Sequence, residues 1–492
     1  MLVVGYFFYK FIIVVSAVYG LHRLILAILA LRASNKSKQP TSTFSELPFV
    51  TVQLPIYNEL YVVEQLLTSV GNIEYPRDRF EIQVLDDSTD ETVKITENMV
   101  GKLQAEGIQV ELIHRVDRSG FKAGALANGL KTAKGEFVTV FDADFVPAPD
   151  FIHRTVHYFT DPGVGMVQAR WGSQNVKESL LTRLQSMMID GHFMVDQLAR
   201  SSSGRFMNFN GSAGMWRRSA IESAGGWQAD TLCEDLDLSY RAQLKGWKFI
   251  FLPDYVVPQE LPRDMRAFKS QQFRWSKGSL EVGAKLLGKV WQSQVPLKVK
   301  IEATLHLTGN FGYALLIVLC LITLPTMLNG LTSSAGFLSM IESVIYVAGI
   351  VSLVFYFFAF NKKIYPDWLS RMKYFPMFVV GMAGLAFIHL GALWEVVRGK
   401  KTPFVRTPKY GQVSSNADLK MKYKMPLDPL VICELSMSLY MLITIILAVH
   451  EENYSAIPCL LIIQLGFLYV GLQSLLKPKF KKSSISISNA SR

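Results

Sequence analysis

The chain has 492 residues and a formal charge of +11, from 51 Lys+Arg against 40 Asp+Glu, yet only 18% of its residues are charged and 50% are hydrophobic. Soluble domains usually carry about 25% charged residues, so this balance excludes a disordered chain and argues against a wholly soluble one. Four cysteines exclude a disulfide scaffold, and Cys233, Cys320, Cys433 and Cys459 show no metal-ligand spacing.

Residues 2–31 are almost wholly apolar, broken by Lys10, His22 and Arg23. Roughly 20 apolar residues span a bilayer core. The run lacks the basic start and short apolar core of a signal peptide, so 1–34 is predicted to be an uncleaved transmembrane anchor. From 35 to 259 no apolar run is long enough to span. Strands are predicted at Phe49–Pro55, Phe80–Asp87, Val110–Arg115, Glu136–Asp142 and Val164–Trp171, with helices at 59–70, 90–106 and 121–134. Strands alternating with helices predict an α/β fold with a mostly parallel sheet. Ligands of such sheets bind beyond the carboxyl ends of the strands.

Polar residues collect at those ends. Strand one runs out through Pro55, Tyr57, Asn58 and Glu59, strand two through Asp86 and Asp87, and strand four through Asp142 and Asp144. Asp142 and Asp144 are two apart, so their side chains leave a strand end on the same side. Carboxylate oxygens suit Mg²⁺ or Mn²⁺, which bind one or two carboxylates plus substrate phosphates. Arg118-Ser119-Gly120-Phe121-Lys122 opens a predicted helix, where Lys122 can meet a diphosphate. Cys233-Glu234-Asp235 opens another, and the helix dipole there favours an ionised carboxylate suited to a general base. An Asp-x-Asp pair alone marks a solvated turn more often than a site; its place after a β-rich run, level with Asp87, reverses that reading.

The segment 260–295 mixes basic with apolar residues: Arg263, Arg266, Lys269, Arg274, Lys277, Lys285 and Lys289 alternate with Met265, Phe268, Leu280, Leu286 and Trp291. It reads as an amphipathic helix on the membrane surface, with lipid rather than nucleic acid as the partner of its charges. Gln271, Arg274 and Trp275 share one face, the arginine suited to a phosphate and the indole to a sugar ring.

Apolar runs return at about 303–328, 334–360, 374–397, 430–449 and 456–476, making a bundle over 296–476. If all cross with the anchor, the basic loop 398–424 and the basic tail 477–492 fall opposite the 35–259 domain. If 374–397 lies in the interface instead, both join that domain on one side, which the positive-inside rule makes cytosolic. Gly381, Gly384, Gly391 and His389 also make 374–397 a poor lipid-facing span. Five spans and one interfacial segment are therefore predicted. His306, Asn310, Glu342 and Glu434, in or near spans, are candidates for a polar path through the bundle.

Asp87 in LDDSTDET, Asp142 and Asp144 in DAD, Glu234 and Asp235 in CED, and Gln271, Arg274 and Trp275 in QQFRW stand in that order. The set resembles the membrane-embedded family-2 glycosyltransferases of the cellulose-synthase type. It is most similar to the cellulose-synthase-like A and C groups, which make β-1,4-mannan or β-1,4-glucan backbones. FKAGAL, FNGSAGMWRR and KGWKF resemble the same family. The likeness is strong over 48–291 and loose beyond. It implies a nucleotide-sugar-binding, GT-A-like domain joined to an α-helical transmembrane bundle.

Carried over by position, Asp87, with Pro55, Tyr57 and Glu59, would hold the nucleotide. Asp142 and Asp144 would hold the diphosphate and its Mg²⁺ or Mn²⁺, with Lys122 and Arg274 on the diphosphate. Asp235 would be the catalytic base, and Glu234, Gln271 and Trp275 would meet the acceptor. The family's cytosolic gating motif, FxVTxK, is matched by Phe404, Thr407 and Lys409, with Arg406 where Val is usual. Cys233 stands where Thr is common. With little chain after the last apolar run, the cyclic-dinucleotide-binding β-barrel of bacterial cellulose synthases is not expected.

The function so implied is a processive inverting transferase. It would polymerise a hexose from UDP-glucose or GDP-mannose, with a slight lean to a glucan, and pass a β-linked, β-1,4-type glycan across the membrane. The partners are the nucleotide sugar, the growing polysaccharide and membrane lipid, with oligomer and accessory subunit left open. The site would be an integral multi-pass membrane of plasma or Golgi type. Two other readings compete: a single-addition transferase acting on a lipid or glycoconjugate, and a nucleotide-binding membrane transporter without transferase activity.

Overall fold

The strands of the computed structural model gather into one seven-stranded sheet. They are β1 (Val50–Ile56), β2 (Phe80–Asp86), β3 (Val110–His114), β4 (Phe137–Val140), β5 (Val164–Ser173), β6 (Gly214–Arg217) and β7 (Lys248–Gln259), in the order β3-β2-β1-β4-β6-β5-β7. The structure describes residues 2–329, 337–411, 422–423 and 425–476. Residues 412–421 and 424 of the basic loop, the Glu342 side chain and the tail 477–492 lie outside the described residues.

β1 shows why these segments become interior strands. Val50, Val52, Leu54 and Ile56 are buried on one face, and Thr51 and Gln53 are equally buried on the other. A strand covered on both faces must satisfy its polar side chains internally. The parallel register pairs Thr51 with Glu81 and Gln53 with Gln83. Thr51 donates to Glu81 at 2.8 Å and Gln53 to Gln83 at 3.0 Å. β3, β2, β1 and β4 are all parallel. The chain winds outward from β1 in one direction and restarts at β4 in the other. The crevice beyond their carboxyl ends is thus a topological switch point.

Two strands have no counterpart among the sequence-based expectations. β6 runs antiparallel between β4 and β5, and β7 pairs parallel with β5 through an irregular register. β6 is only four residues, Gly-Met-Trp-Arg, without a β-branched run. β7 carries Pro253 and Pro258, which an edge strand tolerates because one side of it needs no ladder donors. The helix predicted at 59–70 begins only at Val63. Asn58, at φ +54°, turns the chain first and leaves Glu59 off the helix.

Among the described residues, six helical stretches are long and apolar enough to cross a membrane: Lys10–Arg32, Phe311–Leu328, Val347–Ile364, Trp368–Val397, Leu430–His450 and Ile457–Leu475. The fourth is not continuous. A tighter turn of helix, Met372–Tyr374, joins Trp368–Arg371 to Phe375–Ala383, and the chain turns at Gly384 and Leu385 before Ala386–Val397. Both ends of the segment return to the α/β half. Tyr374 accepts a hydrogen bond from Arg183 of the helix Leu180–Gly191 at 2.6 Å, and Glu395 pairs with Lys277 of the helix Met265–Gln292 at 2.9 Å.

The helix Met265–Gln292 corrects the reading of its basic residues as lipid contacts. Lys269 and Lys277 are 1% and 0% exposed. Lys269 pairs with Glu434 at 2.6 Å and Asp428 at 2.8 Å, Lys277 with Glu395, and Lys285 with Asp230 and Asp237. The composition matches a membrane-surface helix, but the matching acids lie far away in sequence. Two polar-path candidates have the same kind of explanation. Glu434 is held by Lys269, and His306 lies in a buried network with Tyr240 and Arg200.

Removing one partner of a buried pair strands the other charge, at a cost of about 3–5 kcal/mol. Lys269→Met leaves Glu434, itself 0% exposed, without its cation. The detergent-solubilised variant is expected to unfold well below wild type in a thermal melt, and Lys269→Met with Glu434→Leu to recover most of the loss.

Candidate functional site

The turn after β1 builds one wall of a cavity at the switch point. Asn58 is held by its backbone N–H on Ser88 Oγ at 2.9 Å and by its side-chain oxygen on the Thr89 N–H at 2.8 Å. That fixes Tyr57 and Glu59 on either side. The Arg118 guanidinium lies 3.4 Å from the Tyr57 ring centroid, a cation–π stack. Asp87, next along the edge, takes two hydrogen bonds from Arg115, at 2.8 and 2.6 Å. Burial pushes the Glu59 carboxyl up to about 8, although Arg406 beside it pulls the other way.

Lys122 stands at the centre, in the first turn of the helix Phe121–Thr132. Its ammonium donates to Asp142 at 2.5 Å and to the Gly211 carbonyl at 2.8 Å, with Glu234 at 3.8 Å. Burial lowers its pKa, but Asp142, Glu234 and Asp235 outweigh burial and hold it above the ordinary lysine value. Gly211, at φ +83°, brings backbone into the middle of the site. A Cβ there would stand 3.0 Å from Asp235 Oδ2 and 3.3 Å from Lys122 Nζ.

Glu234 and Asp235 open the helix Glu234–Leu244. The helix dipole predicts a lowered Asp235 pKa, and the structure reverses that. Burial, reinforced by the neighbouring Glu234 carboxylate, raises Asp235 to about 7. Desolvation outweighs the first-turn dipole because Asp235 sits inside the cavity, beside a second carboxylate. A carboxylate poised near neutrality is well matched to accept a proton.

Another wall of the cavity is a stripe of the helix Met265–Gln292. Gln271, Arg274, Trp275 and Gly278 recur at i, i+3, i+4 and i+7, hence on one face. Gly278 sets the approach: a Cβ there would stand 2.3 Å from Cys233 Sγ and 2.8 Å from the Cys233 backbone nitrogen. This contact seats Arg274 and Trp275 beside Glu234 and Asp235. The segment Phe404–Gly411 roofs the cavity. Arg274 donates to Thr407 Oγ1 at 2.7 Å and lies 4.4 Å from the Phe404 ring centroid. Lys409 donates to Asp144 Oδ2 at 2.6 Å and to the Glu260 carbonyl.

Asp142 and Asp144 fit a divalent cation. Each engages its cation through one oxygen, Oδ1 on Asp142 and Oδ2 on Asp144, leaving the other without a hydrogen bond from the described residues. No group of three or more His, Cys, Asp or Glu forms a closed metal cage among the described residues. An open pair of carboxylates that leaves room for phosphate oxygens is the arrangement Mg²⁺ and Mn²⁺ accept.

Pro55, Tyr57, Glu59, Asp87, Lys122, Asp142, Asp144, Glu234, Asp235, Gln271, Arg274, Trp275, Phe404, Thr407 and Lys409 all line this single cavity. It also holds residues to which the sequence assigns no role. Arg118 and Gly211 lie in segments distinctive for their pattern, without a chemical task of their own. Arg406 is visible in sequence only as a departure from a motif. Trp171 gives no signal, because an aromatic at a strand end reads as core.

Residues 48–278 match the family profile described as "Glycosyltransferase like family 2". The chain is 39% identical over 289 residues to probable glucomannan 4-beta-mannosyltransferase 9 of Oryza sativa subsp. japonica, covering 58% of this chain and 54% of that protein. It is 42% identical over 274 residues to glucomannan 4-beta-mannosyltransferase 2 of Arabidopsis thaliana, covering 55% of this chain and 51% of that protein. It spans about half the length of the curated relatives it matches. Among solved structures, the mannosyltransferase PcManGT of Pyrobaculum calidifontis, in complex with GDP-Man and Mn²⁺, superposes with a TM-score of 0.55. It is 19% identical and covers 80% of this chain and 100% of that one, a likeness of fold.

The Gly278–Cys233 contact can be tested against an internal control. Gly288, on the same helix, has no neighbour within 4 Å of where a methyl group would sit. Gly278→Ala is expected to lower stability by about 1–3 kcal/mol through overpacking. Gly288→Ala should raise it by about 0.5–1 kcal/mol through helix propensity. Thermal melts of the two variants should move in opposite directions.

Proposed function

We propose that the chain, whose residues 48–278 match the profile described as "Glycosyltransferase like family 2", is a processive, inverting β-glycan synthase drawing on a nucleotide-activated hexose. The convergence of Asp235, Lys122, Arg274, Trp275 and the two DAD aspartates on one cavity carries this reading. The names of the relatives shift the donor preference from UDP-glucose to GDP-mannose and the product to a β-1,4-mannan type backbone.

A sugar hydroxyl is a poor nucleophile until its proton has somewhere to go. Asp235 accepts that proton as the oxygen attacks the anomeric carbon. Trp275 stacks on the terminal sugar of the acceptor, and Gln271 and Glu234 orient its hydroxyls. Negative charge grows on the departing nucleoside diphosphate. Lys122 and Arg274, both fixed and sheltered from water, stabilise it. Asp142 and Asp144 would hold the divalent cation, which supplies further electrostatic stabilisation of the diphosphate when bound. One base and a single displacement invert the anomeric centre, so an α-linked donor gives a β-linked product.

In this reading the broken segment 368–397 lies in the interface, because both its ends are tied to the α/β half. The other five apolar helices cross. The α/β domain and the Phe404–Gly411 loop then share the cytosolic side, and the product leaves through the helices.

Three measurements test this. Purified protein given labelled GDP-mannose or UDP-glucose with Mg²⁺ or Mn²⁺ should form, from GDP-mannose, a long product cleaved by β-1,4-mannanase; a single added sugar defeats processivity. Asp235→Asn should lower turnover by about a thousandfold while nucleotide binding persists. Because Asp235 must be ionised and titrates at about 7, turnover should fall about tenfold per pH unit as pH drops below that value, and a profile flat to pH 5 contradicts the base assignment.

A further inference from the structure

The roofing loop departs from the FxVTxK pattern at Arg406, and this arginine reaches the donor wall. Its Nη1 lies 2.9 Å from Glu59 Oε2 and donates to the Asn58 carbonyl. Its guanidinium lies 4.1 Å from the Tyr423 ring centroid. A valine at this position could make neither polar contact. Tyr423 in turn donates to Asp90 at the mouth of the helix Thr92–Ala105, so Arg406 is gripped between two parts of the donor edge.

The grip is incomplete. Arg406 Nη2 is buried and donates to no atom among the described residues, and Glu59 Oε2, although ion-paired, accepts no hydrogen bond. Arg118 Nε and Arg274 Nε are in the same condition, and all four residues line the same cavity. Buried donors are almost always satisfied, and a cluster that is not points to a missing partner. Three of these four atoms are guanidinium donors, so the missing partner is rich in acceptor oxygens. Asn58 lends a second sign: it is held at φ +54° by two hydrogen bonds, a strained conformation that aims its carbonyl at Arg406.

We propose that Arg406 is a donor-binding residue carried on the loop. When the loop roofs the cavity, Arg406 stays anchored on Glu59 and Asn58 and gives its second Nη to an oxygen of the donor's ribose-diphosphate chain. This rests on the glycosyltransferase reading and adds to it: the loop contributes a charge that reads the nucleotide, besides covering it.

The test is calorimetric titration of full-length, detergent-solubilised protein with GDP and with UDP in the presence of Mn²⁺. Arg406→Val should weaken the nucleotide that wild type binds by about tenfold, as loss of a charge-assisted hydrogen bond requires. Arg406→Lys should restore part of that. Thr407→Val, which cuts the loop's bond to Arg274 but keeps Arg406, should weaken binding less than about threefold. Guanosine and uridine, titrated alongside, locate the contact: a loss confined to the diphosphates places it on phosphate, and a loss shared by the nucleosides places it on ribose. Arg406→Val binding within about twofold of wild type overturns this inference alone, as does an equal loss in Thr407→Val, which would mean that only loop docking matters. A wild-type chain that binds neither nucleotide overturns the glycosyltransferase reading with it.

Discussion

Six carboxylates, Glu59, Asp87, Asp142, Asp144, Glu234 and Asp235, line one cavity, and the rest of the molecule is arranged to supply their counter-charges. Water does only part of this, because the cavity half-buries or buries all six, and unmatched buried charge is costly. Arg115 answers Asp87, Lys122 answers Asp142, Lys409 answers Asp144 and Arg406 answers Glu59. Two of these cations come from beside β3 and two from a loop far along the chain. Glu234 lies 3.8 Å from Lys122, Asp235 has no ion pair among the described residues, and burial raises both carboxyls. Asp235, whose proposed work is to take a proton, is thus the cavity carboxylate without a cation in direct contact.

The helix Met265–Gln292 connects this charge balance to the membrane half. Its stripe of Gln271, Arg274, Trp275 and Gly278 faces the cavity. Lys269, on the far side of the helix, holds Glu434, and Lys277, on its flank, holds Glu395. Lys277 also donates to the Lys400 carbonyl and Thr402, at the point where the loop leaves the segment Ala386–Val397. At the other end Glu260 accepts from the Tyr410 and Gly411 N–H groups. The loop is thus clamped at both ends by one continuous stretch, 260–277, and a shift of the membrane helices against that stretch would be felt at Lys409 and Arg406.

How much of this is legible in the sequence depends on whether the cause of a feature is local. β1 to β4 and the residues at their carboxyl ends follow from short-range pattern, because alternation and strand-end chemistry are written in consecutive residues. β6 and β7 are not legible, since a Gly-Met-Trp-Arg strand and a proline-bearing edge strand exist only because β4 and β5 are there to pair with them. The basic run 263–289 misleads for the same reason: its charge is visible in sequence, but Glu434, Asp428 and Glu395 are not adjacent to it until the chain folds. Asp235 stands out in sequence as a first-turn carboxylate, yet the local dipole gives the wrong sign for its ionisation, because burial by distant elements reverses it.

The same distinction explains why Arg406 matters more than its place in a partial motif suggests. In sequence it is a blemish in FxVTxK. In the fold it lies against Asn58 and Glu59, residues 348 and 347 positions earlier, and completes the charge balance at the β1 end of the cavity. A family pattern records what most members share, so the residue that tunes one member appears there only as an exception. The physical test of such an exception is whether its removal changes the state of what it touches. At Arg406 it does: burial already pushes the Glu59 carboxyl up, Arg406 is the main group pulling it back, and Glu59 has no other cation within ion-pairing distance among the described residues.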